Sequence, residues 1–260
     1  MKTAFLIIDA QYDFCNPNGA LYVPGAQEDI QRLSHFITTY SDKIDAIYVT
    51  LDTHPVNDIS HPSFWASPEG QEPAPFTLIK AEDVKSGKWT PRFNPEQVLD
   101  YLEKLEAQGE FIHCIWPEHC LHGSRGAALE DSLLEALRHF AHTGKEYHTI
   151  EKGTNPMTEH FGIFKAQIPI DGAPETQLNT KLINELLAYD QIFLCGEAKS
   201  HCVATSLKQV IQYAPELAKK FVIIDDIMSD VTGFGYLGDP IYAEAKAAGI
   251  PFIQSSEILL

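Results

Sequence analysis

Short apolar runs and amphipathic stretches alternate along most of this sequence, and that alternation restricts its fold more than any other feature. The apolar runs predict strands, and the stretches between them repeat hydrophobic residues at helical spacing. We predict strands at 4–8, 46–51, 111–115, 147–150, 192–195, 221–224 and 251–254. We predict helices around 30–40, 95–105, 129–140, 182–187, 203–214 and 239–249. Alternating strands and helices predict a three-layer α/β fold, in which helices cover both faces of a doubly wound, mostly parallel sheet.

The segment 55–93 interrupts this alternation, because it is rich in Pro, Ser and Gly and its hydrophobic residues do not recur at regular spacing. A segment of that length is too long for an idle loop in a compact domain. We therefore expect a folded excursion or lid that carries Trp65, Phe76 and Trp89. The chain has no internal repeat and no low-complexity linker, so we predict a single domain over residues 1–260.

Composition limits the classes of partner and the cellular compartment that we expect for this protein. A formal charge of −17 argues against nucleic acid or an anionic membrane surface as a partner, and a small molecule is expected instead. No segment approaches the length of a membrane span, and the first residues read as a strand instead of a signal peptide. The five cysteines show no finger-like spacing, which favours a reducing, cytoplasmic setting. Assembly into a homo-oligomer stays open.

Cys202 is a candidate nucleophile because it lies where a predicted strand turns into a predicted helix. The strand 192–195 leads into a tight turn, and Cys202 falls in the first helical turn after it. Unpaired N–H groups at a helix N-terminus stabilise a thiolate and can bind a developing oxyanion. The alternative is a small buried packing residue, which most free cysteines are.

Side chains with catalytic or metal-binding chemistry follow five of the predicted strands. In parallel sheets the ligand crevice lies at the carboxyl ends of the strands, so these side chains should share one rim. A structural role explains any one of them but explains the set poorly. They are Asp9, Asp52 with His54, His119, Lys152 and Cys202.

Asp52 and His54 form the core of a predicted metal site. Two residues apart on an extended segment, they project to the same side, and His119 would complete three protein ligands. Such a set suits Zn²⁺ or a similar divalent ion and leaves positions open for water or substrate. The alternative is that these are ordinary loop histidines. His61 could be a fourth ligand, although a solvated loop residue is the expectation for it.

Asp9, Lys152 and Cys202 offer a second set. A thiol with a pKa near 8.5 is only a few per cent ionised at pH 7. A buried aspartate can take its proton, and a neighbouring lysine stabilises the thiolate and keeps that aspartate charged. The alternatives are a surface residue for Lys152 and a structural cap for Asp9.

Five segments together resemble the nicotinamidase and isochorismatase-like cysteine hydrolases, over nearly the whole chain. They are IIDAQYDF, LDTHPVNDISHPSF, WPEHC with HGSRGA, EKGTNP and CGEAKSHCV. The resemblance implies Asp9, Lys152 and Cys202 as a catalytic triad and Asp52, His54 and His119 as metal ligands. It implies Phe14 and Trp116 as aromatic pocket walls. It also implies a cis peptide at Glu197–Ala198, which would let the amides of Ala198 and Cys202 form an oxyanion hole.

The chain departs from the family pattern near the expected pocket. The nucleophile turn reads Lys199-Ser200-His201-Cys202, and Asp58 stands where the family usually has histidine. We therefore predict a metal-dependent cysteine amidohydrolase for a small planar amide, with nicotinamide as first choice and Zn²⁺ as the metal. The alternatives are an amidase for another small amide and a non-catalytic metabolite-binding protein of the same fold.

Overall fold

Six parallel strands form the central sheet of the computed structural model, which describes residues 1–258. Four more strands in this part of the chain form two small antiparallel pairs. The strands are β1 (Thr3–Ile8), β2 (Ala46–Asp52), β3 (Trp65–Ala66), β4 (Leu78–Ile79), β5 (Thr90–Pro91), β6 (His113–Cys114), β7 (Tyr147–Lys152), β8 (Gln191–Gly196), β9 (Phe221–Ile224) and β10 (Phe252–Ile253). The α-helices are α1 (Tyr12–Cys15), α2 (Ala26–Tyr40), α3 (Ala81–Lys85), α4 (Pro95–Gln108), α5 (Asp131–His142), α6 (Thr180–Leu186), α7 (Ala204–Tyr213), α8 (Pro215–Ala218) and α9 (Asp239–Ala247).

The strand order of the central sheet is β10-β9-β8-β1-β2-β7. From β1 the chain proceeds in one direction to β2 and β7, whereas β8, β9 and β10 lie on the other side. The order therefore reverses at β1, and a crevice is expected outside the carboxyl ends of β1 and β8. Ile8 pairs with Gly196 at that point.

Both faces of the inner strands β1, β2, β8 and β9 are buried, in agreement with the predicted three-layer α/β fold. Along β1 the side chains alternate, with Phe5 and Ile7 in one apolar cluster and Leu6 and Ile8 in the other. Helices α2 and α5 contribute to the first cluster, and α6, α7 and α9 contribute to the second. Among residues 1–258, every helix falls short of the length and apolar character needed to cross a membrane.

The prediction that residues 111–115 form a strand of the central sheet is wrong. Only His113–Cys114 is extended, and this strand, β6, pairs antiparallel with β4 of the excursion. The position beside β2 is taken by β7, whose register with β2 runs over six residue pairs. An apolar run shows that a segment is buried, but its strand partner is chosen by tertiary packing.

The excursion 55–93 folds into short elements over a third apolar cluster. Phe64, Trp65 and Ile79 are buried there against residues of α4 such as Val98. Phe76 is exposed. The single domain over 1–260 stays a prediction, and its last two residues, 259 and 260, lie outside the part that the structure describes.

Candidate active site

Four of the predicted catalytic and metal-binding residues lie at the carboxyl ends of central strands. Asp9 follows β1, Asp52 ends β2, Lys152 ends β7 and Cys202 follows β8. Asp52 and Lys152 are direct register partners. Neighbouring parallel strands therefore place these side chains together, as the crevice rule predicts.

Lys152 joins the predicted triad to the predicted metal ligands. Its Nζ lies 2.9 Å from Asp9 Oδ2, 2.9 Å from Asp52 Oδ1 and 3.6 Å from Cys202 Sγ. Burial disfavours its charge, but Asp52 and Asp9 outweigh that cost and raise the pKa of Lys152 well above its ordinary value. The side chain is thus a buried ammonium between two carboxyl groups, and not the surface residue of the alternative interpretation.

Asp9 is held from both its backbone and its side chain by Thr50 of β2. The Asp9 N–H donates to Thr50 Oγ1 at 2.9 Å, and the Thr50 hydroxyl donates to Asp9 Oδ1 at 2.5 Å. Burial raises the pKa of Asp9 above its ordinary value, although Lys152 works in the opposite direction. A carboxylate with a raised pKa is a stronger base, which suits proton removal from a thiol.

Cys202 lies in a single π-helical turn, Lys199–Val203, immediately before α7. Burial raises the pKa of Cys202 well above its ordinary value; Lys152 lowers it, and the Asp9 carboxylate raises it. At neutral pH the group is therefore a thiol, not the stabilised thiolate that a helix N-terminus alone would favour. A base in contact with it becomes necessary for nucleophilic attack.

The Glu197–Ala198 peptide is cis, as the family resemblance implies. Ala198 and Cys202 both line the cavity that contains the Cys202 thiol. Their role as an oxyanion hole stays a prediction.

Asp52, His54 and His119 form a buried cluster of potential metal ligands. One ligand atom from each residue lies within 4.8 Å of the others. The distances to Asp52 Oδ2 are 2.8 Å from His54 Nε2 and 3.5 Å from His119 Nε2. His119 arrives from a different place than predicted, because it follows β6 and not a strand of the central sheet. Its loop is tied to β2 through the Cys120 carbonyl, which accepts from the His54 N–H at 3.0 Å.

Hydrogen bonds on the far side of each imidazole leave its Nε2 directed to this cluster. His54 Nδ1 lies 3.1 Å from Asp58 Oδ2, and His119 Nδ1 lies 2.8 Å from the Pro117 carbonyl. With Nδ1 as the donor in both rings, each Nε2 would offer its lone pair to a bound metal ion, which is how metal-binding histidines are normally oriented. The donor set therefore fits a divalent ion, and Asp58 orients His54.

His61 is buried, so the expectation of a solvated loop residue is wrong for it. Its Nε2 lies 3.4 Å from His119 Nδ1, and its ring packs 5.3 Å from those of His54 and His119. Burial lowers its pKa to about 4. His61 thus packs behind the ligands, since its Nε2 meets the side of the His119 ring that faces away from Asp52.

Phe14 and Trp116 both line the cavity beside Cys202. Six further wall residues were missed from the sequence: Glu159, His160 and Phe161, together with His201, Leu21 and Val231. The first three follow the lysine segment in a stretch without period, so no pattern marked them. His201 had a signal, because it directly precedes the nucleophile in the turn that departs from the family.

The carboxyl group of Glu159 is strongly affected by its burial. Burial raises its pKa to about 8, and its Oε1 accepts a hydrogen bond from Trp116 Nε1 at 3.1 Å. At neutral pH it is therefore mostly a neutral carboxylic acid that fixes the plane of the Trp116 indole.

Known proteins with similar sequences are nicotinamidases. The nicotinamidase of Saccharomyces cerevisiae is 25% identical over 256 residues, which are 98% of this chain and 100% of the yeast protein. That of Escherichia coli K12 is 27% identical over 209 residues, which are 80% of this chain and 76% of the relative. Over most of its length the chain is thus similar to members of the nicotinamidase and isochorismatase-like hydrolase family. No family model matches it.

Solved structures of the family share its fold. A nicotinamidase/pyrazinamidase from Acinetobacter baumanii superposes with a TM-score of 0.66 at 22% identity, over 99% of this chain and 98% of the other. A pyrazinamidase from Pyrococcus horikoshii, solved in complex with zinc, gives 0.56 at 19% identity over 98% and 99%. At these identities the comparison concerns the backbone, so the side-chain roles depend on the geometry above.

Proposed function

We propose that this protein is a nicotinamidase, which hydrolyses nicotinamide to nicotinate and ammonia through a cysteine thioester. The observation that carries the proposal is the Lys152 ammonium, which contacts Asp9, Cys202 and Asp52 at once. These contacts bring the nucleophile Cys202 and its base Asp9 next to the cluster of potential metal ligands that includes Asp52. Both curated relatives are nicotinamidases.

The chemistry starts from a protonated thiol. Asp9 takes the Cys202 proton, and Sγ forms a bond to the amide carbon while the carbonyl π electrons move to oxygen. The amides of Ala198 and Cys202 donate to this oxyanion. When the tetrahedral intermediate collapses, the C–N bond breaks and the proton on Asp9 passes to the leaving nitrogen, which departs as ammonia. Asp9 then takes a proton from water, whose oxygen attacks the thioester and releases the acid and the thiol.

Lys152 serves as the fixed counter-charge in this cycle. Its ammonium stabilises the thiolate and the Asp9 carboxylate, and so it lowers the cost of each charged state in a buried site.

Asp52, His54 and His119 would hold one divalent metal ion, and we propose Zn²⁺ because two imidazoles and one carboxylate suit it. When bound, such an ion supplies a Lewis-acid contact for a ring nitrogen of the substrate. The zinc in the Pyrococcus horikoshii pyrazinamidase supports this choice. The five free cysteines support a reducing, cytoplasmic setting.

Ammonia release from nicotinamide by the metal-loaded protein tests the proposal, with the Cys202→Ala variant as the blank. Turnover of another small amide, but not of nicotinamide, would favour the alternative amidase. Binding of an amide without release of ammonia would favour the non-catalytic metabolite-binding protein.

A further inference from the structure

A second, larger cavity adjoins the one that contains Cys202. It has a volume of about 430 Å³, and it shares three wall residues, Trp116, Phe161 and His201, with the catalytic cavity. Its other walls come from β4 and β6 with the residues next to them, from the C-terminal end of α4 and from residues 234–237. We call it the outer cavity. Its size lies within the range of small-molecule sites, and its shared wall places it directly beside the site of reaction.

The shared residue His201 is 4% exposed and sits among aromatic rings. Its ring centroid lies 5.2 Å from that of Trp116, and 5.5 Å from those of Phe161 and Phe234. Burial lowers its pKa to about 4, so the imidazole is neutral at neutral pH.

The hydrogen bonds of Ser200 decide which His201 nitrogen carries the proton. The Val231 N–H donates to Ser200 Oγ at 3.1 Å, and Ser200 Oγ lies 2.9 Å from His201 Nδ1. Ser200 is buried, and within residues 1–258 its hydroxyl has no other acceptor, so it donates to Nδ1. His201 Nε2 therefore carries a proton, and the described part of the chain provides no acceptor for it.

The rest of the outer cavity is mostly apolar, with three charged residues in its wall. Leu78, Ile112 and Tyr236 line it and are 45%, 42% and 65% exposed. Glu106, Glu110 and Lys80 are the charged wall residues, and Glu110 pairs with Lys208 at 2.8 Å. The wall therefore has little net charge to compensate an ionised extension, whose burial would be costly. An uncharged guest with one hydrogen-bond acceptor near His201 matches this surface.

We propose that the outer cavity is a second subsite of the active site, which receives an uncharged, acceptor-bearing extension on the ring of the amide substrate. This proposal rests on the proposed function. The ring occupies the catalytic cavity, and the extension passes the wall formed by Trp116, Phe161 and His201. His201 Nε2 donates to an ether or carbonyl oxygen of the extension. His201 is thus a specificity-determining residue for substrates larger than the parent amide.

Matched substrates test the subsite directly. Nicotinamides with a methoxy, an ethyl or a carboxylate group at ring position 5 or 6 differ in the acceptor and the charge of the extension. At one position at least, the methoxy amide should keep kcat/KM within about tenfold of nicotinamide. The ethyl analogue should fall about tenfold below it, since it leaves the His201 N–H unpaired, and the carboxylate should fall further.

Variants at His201 and Leu237 distinguish the effect of the His201 hydrogen-bond donor from the effect of the shape of the cavity wall. His201→Phe keeps an aromatic ring without the donor, so the methoxy and ethyl amides should become equivalent, and His201→Gln should restore part of their difference. Leu237→Trp fills the outer cavity and should lower the ratio of kcat/KM for the methoxy amide to that for nicotinamide about tenfold. Leu187→Trp, at the end of α6, is the matched control and should leave that ratio unchanged.

Turnover of nicotinamide but of no methoxy amide would overturn the subsite and leave the proposed function intact. So would a Leu237→Trp ratio equal to that of Leu187→Trp. If nicotinamide itself is not hydrolysed, the proposed function fails, and calorimetric binding to Cys202→Ala decides the subsite separately. Tighter binding of the methoxy than of the ethyl amide supports it, and equal binding overturns it.

Discussion

Lys152 and Asp52 face each other at the ends of β7 and β2, with Lys152 Nζ 2.9 Å from Asp52 Oδ1. The other oxygen of the same carboxylate, Oδ2, lies 2.8 Å from His54 Nε2. One carboxylate thus contacts both the predicted triad and the predicted metal ligands. Gly153 makes room for it, since a Cβ at Gly153 would lie 2.6 Å from Asp52 Oδ1. A substitution in the predicted triad should therefore affect the predicted metal site, and a substitution in the metal site should affect the triad.

Lys152→Met should destabilise the protein as well as inactivate it. The substitution leaves the carboxylates of Asp9 and Asp52 buried without their cation, and breaking a buried pair in this way costs about 3–5 kcal/mol. Urea unfolding monitored by fluorescence measures the loss. Lys88→Met is the control, because Lys88 makes an exposed ion pair with Asp83 that is worth about 0–1 kcal/mol. Equal losses in the two variants would contradict the buried counter-charge.

Cys202→Ala should lower ammonia release at least about 10³-fold while the protein stays folded, since loss of a nucleophile removes the covalent route. Circular dichroism and the melting temperature verify the fold. Cys195→Ala is the matched control: Cys195 is buried within β8, so its variant should melt at a lower temperature but retain activity. Wild-type turnover by Cys202→Ala would refute the nucleophile.

Freshly purified protein should contain about one divalent metal ion per chain, by elemental analysis, because three ligand atoms converge in the Asp52 cluster. A chelator should lower the melting temperature, since bound metal stabilises the folded state. His54→Ala/His119→Ala should contain no metal, whereas His61→Ala should keep it. Full occupancy in the double variant would remove these residues from the site, and loss in His61→Ala would make His61 a ligand.

Benzamide should be hydrolysed about 10²-fold more slowly than nicotinamide, judged by kcat/KM. The two amides have the same shape, but benzamide lacks the ring nitrogen that would position its carboxamide against Cys202, and a misplaced reactant loses about this much rate. Equal values of kcat/KM for the two amides would mean that the site does not recognise the ring nitrogen.

Glu197→Gln should stabilise the protein increasingly as the pH rises. Burial, and next the Asp29 carboxylate, raise the pKa of Glu197 well above its ordinary 4.5. The stability that depends on its protonated form is therefore complete below pH 4.5 and is lost as the pH rises toward the folded pKa. Glutamine is neutral throughout and avoids that loss.

The melting temperature of Glu197→Gln, relative to wild type, should thus rise by at least about 2 °C between pH 4.5 and pH 8, the shift expected for about 1 kcal/mol. Glu216→Gln, on an exposed residue of α8, is the control and should show no such trend. A flat difference for Glu197→Gln would contradict the raised pKa.

The positions of Asp9, Asp52, Lys152 and Cys202 could be predicted because they depend on local pattern and one topological rule. Apolar runs mark buried strands, alternation with helices makes those strands parallel, and parallel strands end on the same edge. Residues that directly follow these apolar runs therefore lie close together in space, however the rest of the chain packs. The triad and metal roles came from the family motifs, and the experiments above test them.

Contacts between segments distant in sequence were decided only by the tertiary structure. Residues 111–115 are apolar enough for a strand, but β7 occupies the place beside β2, and β6 pairs with β4 instead. His61 is buried behind His119, and burial keeps Cys202 a thiol despite Lys152. Pairing partners and desolvation depend on which surfaces meet after folding, and a one-dimensional period carries no information about either. The same holds for His201, whose free N–H follows from a contact with Ser200 and Val231.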